Sequence, residues 1–301
     1  MSDNPGIAHA GCFICGGTTF DQVTPAYRRC TACGHETLEA TDAQAYIIND
    51  PLDADAVRRP SSLDRFQAAI LEKFSAGRRR RQLVDIGSGS GKFLLHHGRG
   101  FARATGVEIT PDAVNFSRNT LGLEIVGDIA DIDSEIDVVT AWHSLEHFPP
   151  APLLSLFDRM RTRVAADGCV IVSVPNAASF QYRIFRRHFA FFDVPSHLQQ
   201  FTPDSLARLF AAHGFVLTAA AISWPYNAFG YTQALLNCVM PGHNYAYYRL
   251  KRGRPRASLA RDLAVFALLP LAVPLGVLLS LIDAAFPARQ GVLTCRFEKR
   301  P

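Results

Sequence analysis

The 301-residue sequence is low in charge and has only one long apolar run. Charged residues make up 19% of the chain and hydrophobic residues 48%, whereas an average soluble domain is about 25% charged. These proportions exclude intrinsic disorder, collagen and coiled coil as the main description of the chain. A polytopic membrane protein is also excluded, because only residues 263–282 stay apolar for the roughly 20 residues that span a bilayer.

The first twelve residues lack the features of a secretory signal. They contain an acid, Asp3, and neither a basic segment nor an apolar one. The seven cysteines are an odd number, and four of them form one close pattern. This usage favours a reducing compartment over a disulfide framework, so we expect a cytoplasmic protein.

Basic charge is concentrated near the apolar run. Residues 223–290 hold seven Lys or Arg and two acids, a net charge of +5, so the rest of the chain, whose total is +4, carries −1. A protein that covers nucleic-acid phosphates usually spreads basic side chains over a face or groove. We therefore expect no nucleic-acid partner.

Residues 1–40 have the pattern of a zinc ribbon. Two Cys-x-x-Cys pairs are separated by fourteen residues that predict a strand, a turn and a strand. Four thiolates at this spacing bind one Zn2+ tetrahedrally, and a site closed by four cysteines is structural rather than catalytic. A redox dithiol is the alternative, and His35 is expected to be an exposed neighbour. The predicted ligands are Cys12, Cys15, Cys30 and Cys33.

From residue 82 onward, buried strands alternate with helices. This order predicts an α/β fold with a mostly parallel, doubly wound sheet. Helices are predicted at 61–76, from Pro111, and from an N-cap at Thr202. The C-terminal segment 291–298 alternates in polarity and predicts a further strand.

A glycine-rich turn joins the first buried strand to the helix that follows. Three glycines, Gly87, Gly89 and Gly91, allow a close approach of the backbone to a ligand. Glu108 ends the next strand 21 residues after Gly87, where a carboxylate can bind ribose hydroxyls. Asp85 would repel a pyrophosphate and suits a cationic ligand. An NAD-binding domain fits less well, because the third glycine is one residue early for that fingerprint.

Five segments resemble, in order, the motifs of class I S-adenosylmethionine-dependent methyltransferases: VDIGSGSGKF, VEITPDAV, GDIADI, DVVTAWHSLEHF and DGCVIVSVPN. The resemblance covers about residues 60–222 and the C-terminal strand. It implies a seven-stranded Rossmann-like sheet whose last strand is reversed, with S-adenosylmethionine as cofactor. It also implies contacts with methionine, ribose and adenine for Asp85, Gly87, Gly89, Gly91, Glu108, Ile109, Asp128 and Ile129.

We divide the chain accordingly. The predicted parts are a zinc ribbon at 1–40, a linker and helical cap at 41–80, a methyltransferase domain at 81–222 with 289–299, and a basic and apolar insertion at 223–288.

Candidate bases follow two strands of the sheet: His143 and His147 after the fourth strand, and His188 and His197 after the fifth. His143 comes at the end of a strand, where open α/β sheets bind their ligands, and a hydroxyl or carbon acceptor needs a base. The stretch FRRHFAFFDVPSHLQQFTPDSL resembles bacterial methyltransferases of sugars, lipids or cell-surface precursors, with Ser196 in place of their arginine. It adds Asp193 and His197 as candidates, although His197 suits a packing or capping role equally well. We expect His147 to pack against the following loop rather than to bind a divalent metal.

The insertion lies between two strands of one sheet, so both of its ends belong on the same side of any membrane. Pro270 and Pro274 interrupt the apolar run, which predicts a kinked or re-entrant hairpin. Six basic residues at 249–261 would lie at anionic headgroups. We therefore predict a peripheral or monotopic protein at the inner face of the membrane. The alternative is a buried helical pair or a dimer interface.

The predicted function is methyl transfer from S-adenosylmethionine to an O or C atom of a small amphipathic, lipid-linked or sugar-type acceptor. The fourth motif is not the Asn/Asp-Pro-Pro-aromatic type, which disfavours methylation of nucleobase amino groups. One alternative is a zinc-ribbon methyltransferase of rRNA bases. Another is a non-catalytic binding protein with the same fold. The sequence leaves the oligomeric state open.

Overall fold

A computed structural model describes residues 11–39, 52–240, 242–250 and 258–300. The first ten residues of the predicted ribbon, residues 41–51 of the predicted linker and the basic residues 251–256 lie outside the described parts.

The described strands form two sheets. They are β1 (Phe20–Gln22), β2 (Tyr27–Cys30), β3 (Glu36–Leu38), β4 (Gln82–Ile86), β5 (Arg103–Val107), β6 (Glu124–Val126), β7 (Ile136–Trp142), β8 (Val164–Pro175), β9 (Gln199–Gln200), β10 (Phe215–Ala221) and β11 (Val292–Lys299).

The described α-helices alternate with the strands of the larger sheet and then fill the insertion. They are α1 (Ala54–Arg58), α2 (Ser62–Phe74), α3 (Lys92–His97), α4 (Pro111–Asn119), α5 (Pro150–Arg163), α6 (Phe180–Phe185), α7 (Pro203–Ala212), α8 (Trp224–Val239), α9 (Tyr245–Leu250) and α10 (Leu259–Asp283).

The larger sheet has the order β10-β11-β8-β7-β4-β5-β6. Strands β4 to β8 pair in parallel, and β11 is antiparallel to both β8 and β10. The predicted seven-stranded, doubly wound sheet with a reversed last strand is confirmed. The last strand lies between two others rather than at an edge of the sheet.

Both faces of this sheet are covered. Val139 and Val172 face one side, where Phe157 of α5 and Phe210 of α7 pack. Val138 and Ile171 face the other side, with α2 and α3. Burial on both faces explains why residues 169–174 of β8 are a nearly continuous apolar run. Because the central strands run in parallel, their carboxyl ends meet at one edge of the sheet.

Three predicted helix starts have the expected caps. Ser61 and Asp64 form a capping box at α2, and Thr202 accepts a hydrogen bond from the Ser205 N–H at α7. Pro111 occupies the first turn of α4. Each device satisfies or removes an N–H group that has no partner within its helix.

The smaller sheet joins the cysteine-bearing segment, residues 11–39, to the loop between α6 and α7, residues 186–202, which we call the β9 loop. Strand β9 of that loop pairs with β3, giving the order β1-β2-β3-β9. The Tyr27 hydroxyl donates to the carbonyl of His197, and the Thr202 hydroxyl donates to the carbonyl of Cys33 at 2.9 Å. The Tyr182 hydroxyl donates to Glu36 at 2.6 Å.

His35 was expected to be exposed, and this prediction is wrong. Its side chain is only 1% exposed. The ring packs between those of Phe13 and Phe201, with both centroid distances 5.2 Å, and its Nε2 lies 2.8 Å from Gln199 Oε1. Docking of the segment onto the β9 loop is what buries the ring.

The apolar run forms one continuous helix, so the predicted re-entrant hairpin is wrong. Pro270 and Pro274 both lie inside α10. Each proline removes one hydrogen bond of the helix, but α10 packs along α8 for much of its length. The chain reverses between these two antiparallel helices: Tyr231 contacts Asp283, and Leu236 packs with Val265.

In helix α10 the distribution of polar and apolar side chains is the reverse of that in an ordinary surface helix. Its side that faces the protein carries buried polar or small residues, among them Asp262, Gly276 and Asp283. Its outer side exposes large apolar side chains. The helix is long and apolar enough to cross a membrane, and 22% of its most apolar 18-residue stretch is buried inside the protein. The exposed residues are Leu259, Leu263, Phe266, Leu271, Val273, Leu275, Leu278, Leu281 and Ile282.

We predict that Tyr27→Phe loosens the β9 loop. The substitution leaves the buried carbonyl of His197 without its donor, which costs about 1–3 kcal/mol. Amide hydrogen exchange at residues 197–202 should become faster, while exchange in β4 stays slow. Tyr231→Phe, which removes the buried hydroxyl bound to Asp283, should not affect residues 197–202. Unchanged exchange in Tyr27→Phe would show that the segment does not restrain the loop.

Candidate active site

The turn after β4 forms a cradle of backbone. Gly87, Gly89 and Gly91 have φ values of 67°, 53° and 75°, in the left-handed region that side chains disfavour. A Cβ atom on Gly87 would lie 2.6 Å from the Cβ atom of Ser144, and one on Gly91 would lie 2.5 Å from Leu123 Cδ1. The turn therefore requires glycine for its conformation and for the space around it.

Two carboxylates flank the cradle. Asp85 is buried and accepts a hydrogen bond from the Thr140 hydroxyl at 2.7 Å. Burial, opposed by that hydrogen bond and reinforced by the charge of Glu108, raises the pKa of Asp85 to about 7. Glu108 accepts from the Gly89 N–H at 2.9 Å and from the N–H groups of Ile109 and Thr110. A positively charged ligand would favour the ionised form of Asp85.

The other predicted cofactor residues lie at the neighbouring strand ends. The side chain of Ile109 is 80% exposed, an apolar surface beside Glu108 that a flat ring could cover. Asp128 caps the short helical turn that follows β6 and pairs with Arg159. Ile129 is buried below it.

These residues fit S-adenosylmethionine. The cradle that excludes side chains and the carboxyl of Asp85 suit its cationic methionine part. Glu108 suits its ribose, and the exposed side chain of Ile109 suits its adenine.

His143 lies directly after β7, at the edge of the sheet where the cradle lies. Its backbone has φ 53°, and its Nδ1 is 3.3 Å from Glu146 Oε1. The ring lies against Tyr226 and Phe191, at centroid distances of 4.5 and 5.9 Å. Within the described residues, His143 Nε2 has no hydrogen-bond partner.

Glu146 is fully buried in the short helical turn after His143. Burial raises the pKa of this carboxyl, but the contact with His143 and the electrostatic influence of the neighbouring histidines outweigh burial and lower the pKa to about 2. His147 Nδ1 lies 2.8 Å from the carbonyl of Ser196, which belongs to the loop that also carries His197.

His197 comes from the β9 loop and meets this group. Burial, together with the neighbouring His147, lowers the pKa of His197 to about 3, so His197 is neutral near pH 7. Its ring centroid is 4.7 Å from that of His147. Asp193 begins the turn before it, and the Asp193 carbonyl accepts from the His197 N–H at 2.7 Å. The structure thus brings His143 and His197 together around Glu146.

Sequence reasoning missed the aromatic wall beside His143. Tyr226 comes from α8 in the insertion, and its ring meets Phe66 of α2 at 5.8 Å. Phe191 belongs to the aromatic-rich stretch that the sequence did single out. Nothing in the spacing indicated Tyr226, because its position depends on how the insertion packs against α2.

The model of a protein family described as "Methyltransferase domain" matches residues 59–220, more than half of the chain. The chain belongs to this family. The resemblance to class I S-adenosylmethionine-dependent methyltransferases is confirmed by the family match and the sheet order, and the chain is an enzyme of this kind.

Three solved structures are similar to this chain at low sequence identity. The [4+2]-cyclase SpnF has a TM-score of 0.50 and 13% identity, over 81% of this chain and 85% of SpnF. A methyltransferase from Clostridium acetobutylicum ATCC 824 has a TM-score of 0.40 and 10% identity, over 54% of this chain and 91% of its own. A DhpI-SAM-HEP complex has a TM-score of 0.40 and 21% identity, over 56% and 84%. No curated protein matches.

We predict that Glu108→Ala weakens binding of S-adenosylmethionine by about 1.5–3 kcal/mol, the range for charge-assisted hydrogen bonds. Isothermal titration calorimetry of the purified chain measures this loss. Glu124→Ala is the control, because Glu124 pairs with Arg103 at the amino-terminal ends of β5 and β6, opposite to the end where Glu108 lies. Equal affinity of Glu108→Ala and wild type would remove Glu108 from the ribose contact.

Proposed function

We propose that this enzyme methylates an O or C atom, with a hydroxyl favoured, on a small amphipathic, lipid-linked or sugar-type acceptor. The observation that carries the proposal is the pair formed by His143 and Glu146 beside the glycine cradle. A histidine whose buried Nε2 has no partner among the described residues, and whose Nδ1 meets a buried carboxylate, is arranged to accept a proton.

S-adenosylmethionine would supply the methyl group. The cradle and Glu108 would hold and orient it, since an in-line transfer depends on alignment. His143 Nε2 would take the proton of the acceptor. Glu146 would fix the orientation of the imidazole and stabilise its protonated form, while Tyr226 and Phe191 would exclude water. We assign His143 as the base, and His197 and Asp193 as residues of the surrounding loop.

The acceptor class follows from the surface of α10. An outer face of large apolar side chains, next to a segment with six basic residues at 249–261, suits an anionic membrane surface. Both ends of the insertion return to the same sheet through β10 and β11. We therefore propose that α10 lies in the interface of the inner leaflet and does not cross it. Lipid-linked acceptors would then be close to the active site.

The four cysteines suit a structural zinc ion. Their sulfur atoms lie within 4.8 Å of one another, with Cys12 to Cys33 at 3.7 Å and Cys15 to Cys30 at 3.5 Å. A zinc tetrahedron with bonds of about 2.3 Å has edges of nearly this length. Through Cys33 and Thr202, this ion would stabilise the loop that carries His197.

Two alternatives remain as competing proposals. An RNA methyltransferase would need a basic surface outside the insertion, where the net charge is −1. The family match counts against the other alternative, a binding protein that transfers no methyl group, although the fold by itself does not determine the reaction. SpnF, which shares the fold, is named a [4+2]-cyclase.

The acceptor proposal predicts where a labelled methyl group appears. Lipid, glycoconjugate and RNA fractions from a deletion strain are incubated with the enzyme and methyl-labelled S-adenosylmethionine. We expect label in the lipid or glycoconjugate fraction. Label confined to RNA would favour the rRNA alternative, and no label in any fraction, with the cofactor bound, would favour a binding protein.

The same assay tests the proposed base. We predict that His143→Gln lowers kcat by about 10²- to 10⁴-fold, the usual contribution of a general base, with S-adenosylmethionine affinity unchanged. His188→Gln, at a turn outside the cluster, is the matched control and should retain kcat. Activity of His143→Gln close to wild type would exclude His143 as the base.

The membrane proposal predicts flotation with anionic lipid vesicles and weaker flotation with neutral ones. The double variant Leu271→Glu/Leu278→Glu places charges on the outer face of α10 and should abolish flotation. Leu217→Glu on β10, also exposed, should not. If the double variant instead turned a dimer into a monomer in sedimentation, and wild type did not float, the face would be a protein interface.

A further inference from the structure

We propose that Glu146, His147 and His197 form a second metal site, for a divalent transition-metal ion such as Zn2+. This site is separate from the cysteine cluster. Metal binding there stands on its own geometry. Only its position beside the acceptor rests on the proposed function.

The three side chains already lie at the spacing of a shared ion. Each offers one ligand atom, and these atoms all lie within 4.8 Å of one another. Glu146 and His197 are buried, at 0% and 8% exposure. Burying a carboxylate that has few polar contacts costs free energy unless a cation or hydrogen-bond donors compensate its charge.

The polar atoms at the centre of this group lack hydrogen-bond partners among the described residues. These atoms are both carboxylate oxygens of Glu146 and the Nδ1 atom of His197. His143 Nδ1 lies 3.3 Å from Glu146 Oε1. Buried groups of this kind are normally satisfied by protein, water or an ion.

The ring of His147 is oriented as in a metal ligand. Its Nδ1 lies 2.8 Å from the carbonyl of Ser196. A carbonyl only accepts, so Nδ1 carries the proton and the lone pair is on Nε2. Histidine ligands are usually fixed in this way by an acceptor on the other ring nitrogen.

The two segments that supply the ligands are held against each other. The Leu198 N–H donates to the carbonyl of Glu146 at 2.8 Å, and the Tyr27 hydroxyl donates to the carbonyl of His197. These contacts within the protein are enough to place His197 beside Glu146, so the site is preformed.

The ligand set selects the class of ion. Two imidazoles and one carboxylate suit zinc, iron, cobalt or nickel, and they leave further coordination positions open. Mg2+ and Ca2+ prefer oxygen ligands. His143 would be an outer partner of Glu146, and the open positions would lie on the acceptor side.

The test is metal content and cobalt binding of the full chain. After dialysis against buffered Zn2+, elemental analysis should find two zinc ions per wild-type chain and one in Glu146→Gln. Co2+ added to chains that retain zinc at the cysteines should bind once, without thiolate-to-metal charge-transfer bands. Glu146→Gln should weaken this binding by at least about 100-fold, the upper end of what the loss of an outer partner costs. His96→Gln, at a histidine bound to the Val57 carbonyl, should bind like wild type.

Circular dichroism and S-adenosylhomocysteine affinity report whether each variant is folded. If Glu146→Gln is not folded, His197→Asn replaces it with the same expected loss. One zinc per wild-type chain, or unchanged Co2+ binding in the folded variant, would overturn the second site. Two zinc ions per chain without methyl transfer to any fraction would support the second metal site and count against the proposed function. One zinc ion per chain with methyl transfer would support the proposed function and overturn the second metal site.

Discussion

The buried carboxylate of Glu146 is the group on which the acceptor side of this enzyme depends. It is fully buried, and three histidines supply its polar surroundings. One of them, His143, follows β7, and another, His197, belongs to a loop that the cysteine-bearing segment restrains through Tyr27. Side chains from the central sheet and from the β9 loop therefore meet at Glu146, and the small sheet restrains that loop. A change to any of these parts should alter the position of His143.

The cofactor side follows a different principle. There the backbone does most of the work, because positive φ values and close packing reserve the turn for glycine. Asp85 and Glu108 add negative charge at the same edge of the sheet. The cofactor and acceptor sides meet where the parallel strands end, and the insertion covers the acceptor side with Tyr226. The same insertion presents the apolar face of α10 outward, so in the proposed function acceptor recognition and membrane contact would share one element.

The sequence was sufficient for the fold because its signals were local. The glycine turn, the acid at the end of β5 and the alternating C-terminal strand each occupy a few neighbouring residues. Contacts between distant segments were not predictable. His35 is buried only because β3 pairs with β9, and α10 stays helical through two prolines while packed along α8. Likewise, Glu146 and His197 are far apart in sequence, and their meeting depends on the β9 loop.

The central claim is that a cofactor held by the glycine cradle presents its reactive sulfur to His143. A crystal structure of the protein with S-adenosylhomocysteine tests it most directly. The account predicts the ribose on Glu108, the amino acid part at Gly87–Gly91, and the sulfur open toward His143, Phe191 and Tyr226. A ligand bound away from the cradle, or a sulfur turned from His143 with the β9 loop in place, would contradict it.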